Sequence, residues 1–140
     1  AAVYSYVSGS RSDIQNCTKS IVDVEDVAAA HVEAAARNVD DADVWQKRYL
    51  LVGGCPSWEE ISSELRAWAE AKGYATTVSR IPTKVSSEVA KPSLGAPPPH
   101  VTPYDCSRAE NILGIKFKGT KEMVHGTVQS LVSWGILSED

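Results

Sequence analysis

The alternation of apolar and polar positions predicts short strands followed by amphipathic helices. The segment "SIVDV", residues 20–24, is predicted to form a strand because it is short and rich in branched side chains. The next apolar positions keep helical spacing and predict one apolar helix face, formed by Val24, Val27, Ala28, His31, Val32 and Ala35. Asp23 lies at the expected N-cap, and Glu25 and Asp26 follow in the first turn, where the helix dipole favours carboxylates. His31 is predicted to be a packed, hydrogen-bonded residue rather than a catalytic one.

A second strand and helix are predicted in the middle of the chain. The segment "KRYLLVGG", residues 47–54, reads as a strand that ends at two glycines. Ser57 stands three residues before Glu60, which is the capping-box pattern at the start of a helix. This helix is predicted to end at Gly73 and to place its apolar residues in the core: Trp58, Ile61, Leu65 and Trp68.

The C-terminal third is predicted to contain one more strand, a long loop and two helices. The segment "YATTVSRI", residues 74–81, reads as the third strand, and residues 82–103 form a loop rich in proline, glycine and serine. Asp105 is the predicted N-cap of a short helix that ends at Gly114. Thr120 is the predicted cap of the last helix, whose inward residues are Met123, Val124, Thr127, Leu131 and Trp134.

Composition narrows the possible partners and the compartment. The chain has 140 residues, 43% hydrophobic and 23% charged, and its net charge of −4 without a basic block argues against nucleic acid. No apolar run approaches the roughly 20 residues of a membrane span. Cys17, Cys55 and Cys106 are widely spaced and odd in number, which predicts neither a disulfide framework nor a zinc site. We therefore expect a reducing intracellular compartment, either cytoplasmic or organellar.

The motifs of common catalytic sites are absent from the 140 residues. There is no Gly-x-Ser-x-Gly elbow, and the three histidines lack metal-ligand spacing. The segment "GIKFKGTK", residues 114–121, has two glycines at P-loop spacing but lacks the Gly-Lys-Ser/Thr order that places lysine on phosphate. The residues alone therefore predict neither a catalytic constellation nor a bound metal.

Four segments in their order carry a family resemblance. They are "SIVDVEDVAAAHVEAA", "KRYLLVGG", "SWEEISSEL" and "YDCSRAENILGIKFKGTKEMVHGTVQSLVSWGIL". Together they resemble the C-terminal half of an extended short-chain dehydrogenase/reductase, in particular the dihydroflavonol reductase and cinnamoyl-CoA reductase group. The resemblance implies an α/β fold in which residues 1–140 are a partial domain, the substrate-binding lobe and last βα elements of a Rossmann-type reductase.

The features that bind the cofactor and perform catalysis in that family are absent from these residues. Family members hold NAD(P) at a Gly-x-x-Gly-x-x-Gly turn and transfer a proton through a Tyr-x-x-x-Lys pair, and neither motif occurs here. The resemblance therefore implies the substrate-binding half of an NADP-dependent oxidoreductase that reduces a carbonyl substrate and needs a nucleotide-binding half. A second polypeptide or a larger assembly would supply that half and its sheet. The alternative is a catalytically inactive scaffold or interaction subunit.

The resemblance also implies three substrate-binding residues. Relatives that bind sugar nucleotides hold a substrate phosphate with a basic residue just before the first of these strands, and Lys19 occupies that position. The substrate lobe also uses the loop after the third strand, where Lys84 and Lys91 lie. The alternative is that all three are solvated surface lysines. Because the helices would pack on a sheet supplied by the other half, we also expect exposed apolar helix faces.

Overall fold

The computed structural model describes residues 2–37, 47–89 and 103–138, which form a mixed α/β protein. The elements follow in the order α1 Ala2–Val7, β1 Ile14–Asn16, α2 Val24–Ala36, α3 Trp58–Lys72, α4 Ala75–Arg80, β2 Val85–Val89, α5 Ser107–Leu113 and α6 Thr120–Ser133. Strands β1 and β2 pair in parallel, with Ile14 opposite Val85 and Asn16 opposite Val89 across an irregular register.

The predicted helix ends are largely confirmed. The Asp23 side chain accepts a hydrogen bond from the Glu25 N–H at 2.8 Å and caps α2. Both hydrogen bonds of the capping box between Ser57 and Glu60 are present at the start of α3. Gly73 ends α3 with a φ of 77°, a left-handed conformation that glycine adopts without a Cβ penalty.

The last two helices begin one residue from their predicted caps. The N-cap of α5 is Cys106 rather than Asp105, although the Asp105 carboxylate still accepts the Ser107 N–H at 3.0 Å. The N-cap of α6 is Gly119, so Thr120 is the first helical residue instead of the cap. Gly114 ends α5 as predicted.

The three predicted strands were wrong. Residues 74–81 contain the short helix α4 instead of a strand. A short segment with branched side chains can form either a helix or a strand, so its composition did not decide between them. Residues 17–21 run antiparallel to residues 53–58 with only two isolated bridges, Thr18 to Ser57 and Ile21 to Gly54, so neither side forms a regular strand. The true β2 lies within the segment predicted to be a loop.

The main core lies between α1, α3 and α6. The predicted inward residues of α3, Trp58, Ile61, Leu65 and Trp68, are all buried there. They pack with Val124, Val128 and Val132 of α6 and with Tyr6 of α1. Met123 and Val124 are buried as predicted, whereas Trp134 was predicted to face inward and is 76% exposed. A smaller cluster joins α2 and α5 through Ala30, Ala109, Leu113 and Ile115.

Helix α2 turns a different face inward from the one its apolar pattern predicted. Its buried residues are Asp26 and Ala30, while Val24 is 78% exposed and Val32 is 65% exposed. His31 is exposed as well, and its Nδ1 lies 2.7 Å from the Val27 carbonyl oxygen, so it is hydrogen-bonded but not packed. The predicted apolar face of α2 is therefore mostly open to solvent.

Candidate functional site

An open cleft of about 540 Å³ lies between the start of α1, residues 19–25, the first turn of α3, and α6. We call this cavity the α1–α6 cleft. Its apolar lining includes Val3, Val24, Trp58, Ile61, Met123 and Val124. Its charged and polar lining includes Lys19, Ser20, Asp23, Glu25, Lys118, Thr127 and Ser130. The cleft combines an apolar wall with a few polar groups, as small-molecule sites commonly do.

The wall formed by residues 19–25 is held in place by backbone hydrogen bonds. The N–H of Lys19 donates to the Pro56 carbonyl, and the N–H of Ile21 donates to the Gly54 carbonyl, both at 2.9 Å. A Cβ atom at Gly53 would stand 2.9 Å from the Lys118 carbonyl oxygen, so only glycine allows this close approach. The loop that carries Lys118 therefore packs directly against this wall.

Two cations on the cleft differ in their availability for a ligand. The Lys118 ammonium donates to Glu25 and also lies 3.2 Å from Asp23 Oδ1. The hydrogen bond to Glu25, supported by Asp23, holds the pKa of Lys118 above its ordinary value. The Lys19 side chain is exposed, and within the described ranges no carboxylate lies at ion-pair distance from its ammonium. Lys19 is thus the cation of the cleft that is free to meet an anionic ligand.

Asp26 reinforces the same corner from inside the protein. Its side chain is buried in α2, and its Oδ2 accepts the Lys118 backbone N–H at 2.9 Å. Acidic residues at the start of α2 therefore bind both the backbone N–H and the side-chain ammonium of Lys118. The three acids that begin α2 cap the helix and also fasten the loop before α6, which the sequence did not indicate.

A short polar chain lies beside the cleft. The Ser20 hydroxyl donates to the Tyr104 hydroxyl at 2.7 Å, and the Cys55 thiol lies 3.8 Å from Ser20 Oγ. The hydrogen-bond partner of the Tyr104 hydroxyl among the described residues is thus a serine. The hydroxyls can orient a polar ligand by hydrogen bonding.

Two of the three predicted substrate-binding lysines, Lys19 and Lys84, lie in different cavities. Lys19 lines the α1–α6 cleft. Lys84 lies in a separate groove beside Arg11, Arg66 and Arg80. Lys91 lies outside the described residues. The prediction of Lys19 and Lys84 as ligand-binding residues remains a prediction, and their placement assigns them to different cavities.

The remaining titratable pairs lie away from the cleft wall. His125 Nε2 stands 3.2 Å from Glu64 Oε2 and links α6 to α3, a contact that sequence spacing could not indicate.

Across the parts of the chain that the structure describes, no group of three His, Cys, Asp or Glu residues could hold a metal ion. In the same ranges, no helix combines the length and the apolar character needed to cross a membrane. The cleft can therefore bind and orient a ligand, and among its described residues Lys118 is ion-paired with Glu25 and Asp23.

Comparison with protein-family models gives no match to this chain, and comparison with curated proteins finds no matching sequence.

Proposed function

We propose that this chain is the substrate-binding half of an NAD(P)-dependent oxidoreductase that reduces a carbonyl substrate. The observation that carries the proposal is the α1–α6 cleft with Lys19 on its wall, a lysine that has no ion-pair partner among the described residues. Lys19 stands at the position that binds a substrate phosphate in the sugar-nucleotide-binding relatives of the family that the sequence resembles. An apolar wall and one free cation suit a substrate with an apolar body and an anionic group.

The open face of α2 supports the requirement for a nucleotide-binding half. Val24 and Val32 are 78% and 65% exposed, and Val24 also lines the cleft. In a Rossmann-type reductase such helices pack on the central sheet, because an apolar stripe must be buried against another layer. A second half that covers α2 would also border the cleft, where it would bring NADP and the proton-transfer residues to the substrate.

The alternative is that the chain is a catalytically inactive scaffold or interaction subunit. The absence of a tyrosine–lysine pair from the 140 residues favours it, and so does the exposure of Trp134 and Ile136 at 76% and 49%. Both proposals include a partner at the apolar surface. They differ in whether the assembled particle binds a nicotinamide cofactor.

The decisive experiment uses the native particle, purified through a tag on this chain. The reductase proposal expects NADPH binding, detected by cofactor fluorescence, and NADPH oxidation with phosphate-bearing aldehydes or ketones. Lys19→Ala should raise KM by about tenfold while kcat stays within about twofold, because the lysine binds ground and transition state alike. Lys72→Ala, a change on an exposed lysine in the last turn of α3, is the matched control and should change neither constant.

One result would decide against the reductase proposal as a whole, and another would decide only against the role of Lys19. One is a purified particle that contains this chain but binds no NADPH and has no glycine-rich nucleotide-binding turn in any subunit. The other is an active particle in which Lys19→Ala and Lys72→Ala behave alike. The first result would favour the scaffold alternative, and the second would remove Lys19 from the substrate site.

A further inference from the structure

A second cavity, distinct from the α1–α6 cleft, gathers positive charge from three separate parts of the chain. This groove, of about 450 Å³, is lined by Arg11, Arg66, Arg80 and Lys84, together with hydroxyl-bearing and apolar residues. We call it the basic groove. None of its lining residues is acidic. Such a concentration of cations is unexpected in a chain whose net charge is −4.

The four cations have no acidic partners in the part of the chain that the structure describes. The ion pairs there involve Lys118 and His125, not any member of the groove. Asp13 follows the groove residue Ser12 but does not line the groove. Among the described residues this positive charge is therefore not compensated by carboxylates, and cations that line one groove are stabilised when an anion binds between them.

Two of the arginines are held in place before any ligand arrives. One terminal nitrogen of Arg66 donates to the Val78 carbonyl at 3.2 Å and the other to the Ile81 carbonyl at 2.5 Å. A guanidinium has five N–H donors, so three of them remain for a ligand. The guanidinium carbon of Arg11 lies 5.6 Å from the centre of the Tyr6 ring, a cation–π distance. Side chains fixed in this way lose less conformational entropy when they bind an anion.

We propose that the basic groove binds a small molecule through two linked phosphate groups, as in a pyrophosphate or a nucleoside diphosphate. Guanidinium groups match phosphate oxygens with paired hydrogen bonds, which favours phosphate over halide or a single carboxylate. Four cations balance the charge of two phosphates and exceed what one phosphate needs. The exposed hydroxyls of Ser12 and Thr83 add further hydrogen-bonding groups to the same groove.

The test is direct binding to the full chain, measured by titration calorimetry at about 50 mM salt, where screening is weak. Pyrophosphate should bind at least about tenfold more tightly than inorganic phosphate, because the second phosphate meets additional cations. ADP distinguishes the two sources of the ligand. Tighter binding of ADP than pyrophosphate identifies a nucleotide, and the reverse order identifies free pyrophosphate.

Two exposed groove residues provide variants that leave the core intact. Arg80→Gln and Lys84→Gln should each weaken pyrophosphate binding by about threefold, and the double variant by about tenfold. Arg108→Gln and Lys121→Gln remove the same charges from exposed sites outside the groove and serve as matched controls. Their effect should stay below about twofold, because neither residue lines the groove and neither can donate hydrogen bonds to phosphates bound there.

Three results would overturn the proposal. The first is equal weakening by the groove variants and their controls, which would mean that only overall charge matters. The second is binding of citrate as tight as that of pyrophosphate. The third is binding of an oligonucleotide that is tighter than pyrophosphate and strengthens with its length. The outcome is independent of the proposed reductase function, because Lys19→Ala should leave pyrophosphate binding unchanged.

Discussion

Tyr6 joins three elements of the main core, and changes to it should separate hydrogen bonding from packing. Its side chain is fully buried in α1, and its ring stacks on Trp58 of α3 with centroids 5.0 Å apart. Its hydroxyl accepts the Gln15 N–H of β1 at 3.1 Å. Because Trp58 also lines the α1–α6 cleft, the packing of Tyr6 supports the cleft wall as well.

Two substitutions of Tyr6 should have clearly different costs. Tyr6→Phe removes one hydrogen bond and keeps the stack, so we expect the free energy of unfolding to fall by about 1 kcal/mol. Tyr6→Ala also removes the ring and leaves a cavity, and we expect a loss of about 3–5 kcal/mol. Urea unfolding followed by tryptophan fluorescence measures both. Equal costs for the two variants, or no cost for Tyr6→Phe, would refute the conclusion that the hydrogen bond and the packed ring of Tyr6 contribute separately to stability.

The pH dependence of the same unfolding measurement tests the burial of Tyr6. Burial raises the pKa of the Tyr6 phenol in the folded state, against the opposing effects of the Gln15 hydrogen bond and Arg11. The folded protein therefore holds this proton more tightly than the unfolded chain, whose tyrosines titrate near about pH 10. The stability that the folded state gains from the raised pKa of Tyr6 is fully present below about pH 10 and is lost as pH rises through the folded-state pKa. Tyr6→Phe should make the alkaline loss of stability shallower, and an unchanged slope would contradict the assignment.

Two further predictions concern α3 and α2. Ser57→Ala removes the capping box and should cost about 1 kcal/mol in urea unfolding, whereas Ser63→Ala at an exposed site in the same helix should change stability by less than about 0.5 kcal/mol. Leu65→Ala removes a fully buried side chain and should cost about 2–5 kcal/mol, while Val32→Ala, at a side chain 65% exposed, should cost less than about 0.5 kcal/mol. A comparable cost at Val32 would mean that the α2 face is covered in the isolated chain.

Helix boundaries could be predicted because their signals are local. The cap at Asp23, the capping box at Ser57 and Glu60, and the left-handed glycine at Gly73 each depend on atoms within three or four residues. The burial of the α3 apolar stripe also followed from its spacing, since a helix with one strong stripe has only one face to bury.

Strands could not be predicted because a strand is completed by a partner from elsewhere in the chain. Residues 47–54 have a strand-like composition, but their neighbours supply only the single bridge between Ile21 and Gly54. The short strands β1 and β2 lie in polar segments and exist because they pair with each other. In α2, packing on α5 buries Ala30, whereas the more apolar Val24 and Val32 stay exposed.

The sequence by itself determined where α2 and α3 begin, where α3 and α5 end, which face of α3 is buried, and that the 140 residues lack a glycine-rich nucleotide-binding turn. Only the tertiary structure decided which cations share a cavity. Lys19 and Lys84 came from one resemblance, yet the fold places Lys19 in the cleft and Lys84 in a groove with Arg11, Arg66 and Arg80. Local hydrogen bonds are encoded within a few residues, whereas a cavity is assembled from segments far apart in the chain.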